Sequence, residues 1–330
     1  MTDTSRLGRV GVMLPRDLPV GQLLDFAVRA EKLGFDELWV VEDLGYRGGI
    51  AQTAAVLGVT SRIHVGIGIL PAAVRNVAFA AMEVATLEQL HPGRITVGLG
   101  HGMPGWMKQV DVWPASPLTL LREYTEALRD LLRGRTAAAG TYVRTADLTL
   151  EEIPDEVPPL LLGVRGPRSL ELTGAVADGV ILAEPAHPTY IADALRHLAA
   201  GAPAGGPAPQ VVTYDVAAVA ETDQAAWATV RPALAPIGEP DWRPHVAGLP
   251  FADDLAALRA ASGSAQEFAA RLPDEWVAEL SLAGTSERVR AGIAARHRAG
   301  ATSVVLTPTG PDRVAALDAL ATALEAPVGA

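Results

Sequence analysis

Short apolar runs of strand length alternate with longer stretches whose apolar positions recur at helical spacing, and the alternation persists from residue 9 to residue 324. The first run, Arg9–Leu14, is stopped by Pro15. A helix follows from Val20, with Leu23, Leu24, Ala27 and Val28 on its face and Gly34 just past its end. Glu37–Val41 reads as the second strand, closed by Glu42 and Asp43, with an Ala-rich helix over Ile50–Val59. Ile63–Leu70, ended by Pro71, is the third, and its helix carries Val77, Ala80, Ala81, Val84 and Leu87 on one face. Arg94–Leu99 is the fourth strand; a Gly-rich loop leads to a helix over Pro117–Leu132. Further strands fall at Leu160–Gly163, Gly179–Leu182, Val211–Val219 and Ser303–Leu306. Their helices are predicted over Gly166–Val176, Pro188–Ala199, Asp223–Leu234 and Arg313–Leu324, with another over Thr285–Ala299.

Two stretches break the rhythm. Residues 134–158 alternate Thr, Val and Tyr around Tyr142 and predict a small hairpin; residues 236–276 are Pro-rich and irregular, with a helical patch near Asp253–Ala261. Strands that are nearly all followed by helices indicate a parallel sheet, because parallel neighbours need a crossover. A doubly wound open sheet shares this alternation, but eight strands is the number that closes a (β/α)8 TIM barrel. The expectation is therefore one α/β barrel domain over residues 1–330, carrying two insertions.

Composition fits a buried core: 49% of residues are apolar and 20% charged. With 27 basic against 38 acidic residues the net charge is -11, which argues against nucleic acid or an anionic membrane as partner. The absence of cysteine excludes disulfides, thiolate metal sites and a thiol nucleophile. The polar N-terminal residues MTDTSRLGRV lack a secretory apolar segment, and no apolar run reaches bilayer length, so a soluble cytoplasmic protein is expected.

In a β/α barrel the chemistry sits where strands end at their carboxyl side. Those ends carry Arg16 and Asp17, Glu42 and Asp43, Arg75, His101, Arg165 and Arg168, Glu184, and Thr307 and Thr309. Glu42 and Asp43 are candidates for acid/base work, since neighbouring carboxylates push one pKa up; the alternative is helix capping or pairing with an arginine. Gly98-Leu99-Gly100-His101-Gly102 places glycines at alternate positions, which lets a flat ligand approach the backbone, yet it lacks the spacing of a dinucleotide fingerprint. His101 reads either as a hydrogen-bond donor to a ligand or as a structural rim histidine. The best anion site is Gly163-Val164-Arg165-Gly166-Pro167-Arg168-Ser169, where a helix opens beside two arginines. The seven histidines show no metal-ligand spacing, so no metal is expected, and no G-x-S-x-G elbow is present.

Several of these stretches together resemble the luciferase-like monooxygenase superfamily, in particular its branch that uses coenzyme F-420, a deazaflavin. They are Gly34–Val40 leading into Glu42-Asp43, Val65–Pro71 with Arg75-Asn76, and the helix through Met82 and Leu90 running into His91-Pro92-Gly93-Arg94. Gly98–Gly102, Pro158–Pro167 and Ala177-Asp178-Gly179 complete the set. The resemblance implies a barrel with a flavin-type ring at the carboxyl rim. It also implies a non-prolyl cis peptide at the end of the third strand, around Ile67, Gly68 and Ile69, and a cofactor phosphate near Gly163–Arg168. Gly100, Gly102, Gly163, Val164, Arg165, Gly166 and Pro167 are the remaining cofactor-binding positions expected.

Family dehydrogenases of this branch carry an Asp-His pair where this chain has Glu42-Asp43, and an acidic residue near Met103. The resemblance therefore implies hydride transfer to a different small-molecule substrate, with Glu42, Asp43 and His101 positioning it or moving protons. An FMN-dependent monooxygenase and a non-catalytic flavin-binding relative are the alternatives. Family members are commonly homodimers.

Overall fold

The computed structural model describes residues 8–324. The leader-free reading of the N-terminus rests largely on residues 1–7, which lie outside the described residues, as does the end of the expected domain. Nine parallel strands form one sheet: β1 (Arg9–Met13), β2 (Glu37–Val40), β3 (His64–Pro71), β4 (Ile95–Gly100), β5 (Leu160–Gly163), β6 (Gly179–Leu182), β7 (Gln210–Val219), β8 (Leu282–Gly284) and β9 (Ser303–Pro308). β1 through β7 pair in chain order, β7 pairs with β9, and β9 pairs with β1. The barrel is thus closed by eight strands, which decides against an open sheet. β8 is a ninth, outside the ring, pairing Leu282–Gly284 with Ala217–Val219 at the far end of β7. Three residues gave no strand signal of their own.

The helices between strands are α1 (Leu23–Lys32), α2 (Gly49–Val59), α3 (Val77–Leu90), α4 (Pro104–Gln109), α5 (Pro117–Leu132), α6 (Pro167–Val176), α7 (Pro188–Gly201) and α8 (Asp223–Val230). Their apolar stripes pack onto the outward residues of the strands, where Val10, Val12, Leu38, Val40, Val97, Leu160, Leu162 and Leu182 are all buried. The interior of the ring is filled separately by Trp39, Leu161, Ile181, Val212, Tyr214 and Val305. Trp39 fits because its neighbour is Gly66: a Cβ there would overlap the indole. Glu37 is buried beneath Trp39 and fully partnered, accepting from Trp39 Nε1 at 2.7 Å, Ser303 Oγ at 2.6 Å and Arg9 at 3.1 Å.

Both interruptions differ from expectation. Among the described residues, 134–158 contain no strand, so the predicted hairpin is corrected to an irregular loop. The cause is Glu123 on α5, whose carboxylate accepts the amides of Thr141, Tyr142 and Val143 at 2.7–3.1 Å, taking donors that a ladder would use. The second interruption is more helical than its prolines suggested. After a 3-10 segment, Arg231–Gly238, come a 3-10 turn over Pro240–Trp242, α9 (Arg243–Val246), α10 (Ala252–Ala260), α11 (Ala265–Arg271) and α12 (Asp274–Glu279). Prolines 232, 240, 244 and 273 stand in the first turn or cap of these pieces, where a missing N–H costs nothing. Leu234, Leu255, Phe268 and Val277 give this segment its own small core against the outer end of β7. α13 (Ser286–Arg298) and α14 (Arg313–Ala321) complete the ring.

Two charged clamps tie the barrel to its helices. Asp215 on β7 and Arg296 on α13 are buried and meet in a two-pronged pair at 2.8 Å. Removing one partner strands a buried charge, so Asp215→Ala is expected to cost about 3–5 kcal/mol in urea unfolding, while Asp215→Leu combined with Arg296→Met costs far less. Equal losses in both variants would contradict this.

At the opposite rim Glu31 accepts the amides of Ser61, Arg62 and Ile63 at 2.7–2.9 Å. Burial pushes its pKa up, but these amides more than reverse that and hold it at about 2, against an ordinary 4.5. Its stabilisation is complete above about pH 4.5 and disappears as pH falls toward 2. The stability gap between the native chain and Glu31→Gln should therefore narrow on acidification; a gap independent of pH would refute the clamp.

Candidate active site at the barrel mouth

Because every strand of the ring is parallel, all the polar strand-end residues gather at one mouth. Its floor is shaped by an irregularity in β3. Ile67 pairs with Val97 but Leu70 with Leu99, so β3 carries one more residue than β4 over the same span, and the Gly68–Ile69 peptide there is cis. This is the place where the family resemblance put it. Gly68 and Ile69 are only half-buried, whereas Ile67 and Leu70 on either side are buried. The bulge therefore lifts Ile69 into the mouth.

The glycines around it stand close to other parts of the chain. A Cβ on Gly163 would stand 2.6 Å from Ile69 Cγ2, and one on Gly100 would stand 3.0 Å from Ile69 Cδ1. One on Gly98 would overlap the Ile67 carbonyl and lie 3.1 Å from Ile69 Cγ2. Gly163 thus makes room mainly for the chain's own Ile69, Gly100 for Ile69 and the Gly163 carbonyl, and Gly98 for the Ile67 carbonyl and Ile181 with Ile69 beside them. Beneath the bulge, the Tyr214 hydroxyl abuts Gly68 so closely that a side chain there would collide with it. That hydroxyl is buried without a hydrogen-bond partner, and burial holds its pKa well above 10. Gly102 is a conformational case instead: its φ of +72° turns the chain into α4.

Beside Ile69 stands the amino end of α6. Gly166 is its N-cap and no side chain caps it; Pro167 opens the first turn, so the helix presents its leading amides and positive dipole end to the mouth. Val164 is buried behind this turn and anchors it. Ser169 Oγ lies 3.5 Å from His101 Nε2, which brings the end of β4 to the same spot. Burial lowers the His101 pKa, partly offset by the Pro117 carbonyl, so the imidazole is neutral at neutral pH. Arg168 is exposed and has no ion-pair partner among the described residues. Arg165 is committed elsewhere: its guanidinium stacks 4.3 Å from the Trp242 ring, donates to the Asp241 carbonyl at 3.2 Å and lies 3.8 Å from Met103 sulfur. It fastens the second insertion over the mouth.

Glu42 and Asp43 do not form a mutual pair. Glu42 receives Arg75 through two nitrogens at 3.0 and 3.2 Å and the Gly49 amide at 2.7 Å, so it anchors α2. Asp43 is bonded to Arg16, whose guanidinium lies 5.1 Å above the Tyr46 ring. The structure thus brings His101, Gly100, Ile69 and Gly163–Ser169 together and sets Glu42 and Asp43 on the other side of the mouth, each with its own arginine. Tyr214 and Trp242 join the site without any motif to announce them. Among the described residues no helix is long and apolar enough to cross a membrane, and no group of three His, Asp or Glu side chains is placed to hold a metal.

Comparison with known proteins gives this geometry a context. The chain is 29% identical over 316 residues to 5,10-methylenetetrahydromethanopterin reductase of Methanolobus tindarius, covering 92% of this chain and 95% of that protein. Over 175 residues it is 32% identical to F420-dependent glucose-6-phosphate dehydrogenase of Microbacterium testaceum, spanning 48% of this chain and 52% of that one. The fold matches coenzyme F420-dependent tetrahydromethanopterin reductase from Methanopyrus kandleri with a TM-score of 0.82 at 22% identity, covering 95% and 97% of the two chains. The profile of the luciferase-like monooxygenase family matches residues 4–303, and the chain belongs to that family.

Proposed function

We propose that this protein is an oxidoreductase that moves a hydride between coenzyme F-420 and a small organic substrate at the barrel mouth. The observation that carries the reading is the juxtaposition of a protruding apolar shelf, Ile69, with an uncapped helix end at Gly166. A flat ring needs the first and a phosphate the second, and in this fold both lie on one rim. The kinship with proteins named as F420-dependent supports the deazaflavin over FMN.

When bound, the coenzyme supplies the carbon that carries the hydride. The chain's own part is placement. Gly68 and Ile69 back the ring, and the leading amides of α6, the Ser169 hydroxyl and Arg168 hold the phosphate. Gly163, Val164 and Pro167 shape that turn, while Gly100 and Gly102 carry His101, a neutral imidazole able to donate a hydrogen bond. Arg165 positions the insertion that covers the site. Glu42 and Asp43 position α2 and the β2 loop that border the substrate. The protein acts in this reading as a cytoplasmic homodimer.

Titration of the purified protein should give micromolar affinity for oxidised coenzyme F-420 and no measurable affinity for FMN; the reverse preference would sink the assignment. Arg168 is exposed and makes no structural contact, so Arg168→Glu should weaken coenzyme binding about tenfold or more, roughly 1.4 kcal/mol, with unchanged urea stability. Unaltered affinity would place the phosphate elsewhere.

A further inference from the structure

Four carboxylates at or near the mouth have arginine partners. Asp17 is paired with Arg313 at 2.8 Å, Glu42 with Arg75, Asp43 with Arg16, and Asp215 with Arg296. Glu184, two residues beyond the end of β6, has no ion-pair partner among the described residues and is half-buried rather than sealed. The ring order locates it: β6 lies between β5, whose following loop carries Arg165, and β7, which carries Asp215, and it stands diametrically opposite β2, whose following loop carries Asp43, with three strands between them on either side.

We propose that Glu184 is the proton donor of the reaction, giving its carboxylic proton to the heteroatom of a carbonyl or imine substrate as the carbon receives the hydride. This rests on the oxidoreductase reading above. In the reducing direction a hydride adds to the substrate carbon, the C=O or C=N π pair moves to the heteroatom, and the Glu184 O–H bond breaks as the new O–H or N–H bond forms. The substrate gains two electrons and two protons, the coenzyme is oxidised by two electrons, and the second proton it releases passes to solvent, from which Glu184 is reprotonated.

The surroundings suit a carboxyl that holds a proton. Burial raises the Glu184 pKa; its own amide and Arg165 pull it down, and Asp215 and Asp43 push it up. Asp215 is already neutralised by Arg296, and Arg165 is shared with the face of Trp242. The Tyr214 hydroxyl lies below, kept neutral by burial. His245 on α9, against the carbonyls of Ala183 and Pro185, is pushed down to about 3 by burial and by Arg165, so it adds no charge.

The test is infrared titration of the whole protein, native and Glu184→Gln, with and without oxidised coenzyme F-420. The native protein should show a protonated carboxyl band that persists to higher pH than an ordinary glutamic acid and is missing from Glu184→Gln. Adding the coenzyme should shift that band, while the coenzyme affinity of Glu184→Gln stays within about twofold of native, because the proposed shelf and phosphate turn are built by Ile69 and Gly163–Ser169 and do not include Glu184. A carboxyl band unchanged by the substitution, or one the bound coenzyme leaves unmoved, overturns the proposal. Failure of the coenzyme to bind either protein would instead overturn the oxidoreductase reading, and the proton donor with it, whatever the band does in its absence.

Discussion

Ile69 fills space vacated by side chains missing at Gly98, Gly100 and Gly163, and the form of the barrel mouth follows from that steric constraint. The bulge in β3 moves Ile69 out of the outward-facing core and over the tops of β4 and β5. Interiors pack at crystal-like density, so such a shift is accommodated only where neighbours have no Cβ to displace. Three glycines on two adjacent strands meet that condition together. The same logic operates one layer lower, where Gly66 admits Trp39 and Gly68 lies on the Tyr214 hydroxyl.

The shelf in turn sets where chemistry can occur. A flat group resting on Ile69 has the open amino end of α6 at one edge, with His101 and Ser169 beside it. The opposite edge is bordered by the β2 loop and Arg75, held rigid by Glu42. The insertion closes the third side through Arg165 and Trp242, an arrangement that uses a cation on an aromatic face where a salt bridge would have been the simpler choice. Glu184 occupies the remaining side. Much of the charge at the mouth is therefore neutralised in pairs.

Much of this was legible in the sequence. The eight ring strands and most of their helices follow from apolar period and from prolines and glycines at element ends, because both signals are local. The helix start at Gly166-Pro167 was likewise readable, since a helix start needs only its own residues. The failures share a cause. The hairpin around Tyr142 is lost to Glu123, a residue some twenty positions earlier that captures its amides, and no local pattern reports such a capture. Of the two readings open for Glu42 and Asp43, acid/base work or pairing with an arginine, the sequence could not name the partners Arg75 and Arg16, which come from distant strand ends. At Gly98 and Gly100 the chain's own residues come close, Ile67, Ile69 and Ile181 among them, and no local pattern names those neighbours. Glu184 was visible as a strand-end residue; that it lacks the arginine partner held by Asp17, Glu42, Asp43 and Asp215 is revealed only by the assembled ring.

In the proposed reading Ile69 and the amino end of α6 together form one cofactor cradle. The direct measurement is a crystal structure of the protein soaked with oxidised coenzyme F-420. The deazaflavin ring should lie against Gly68 and Ile69, with the phosphate on the turn Gly163–Ser169. A ring seated away from Ile69, or a phosphate held by any other part of the rim, would contradict it.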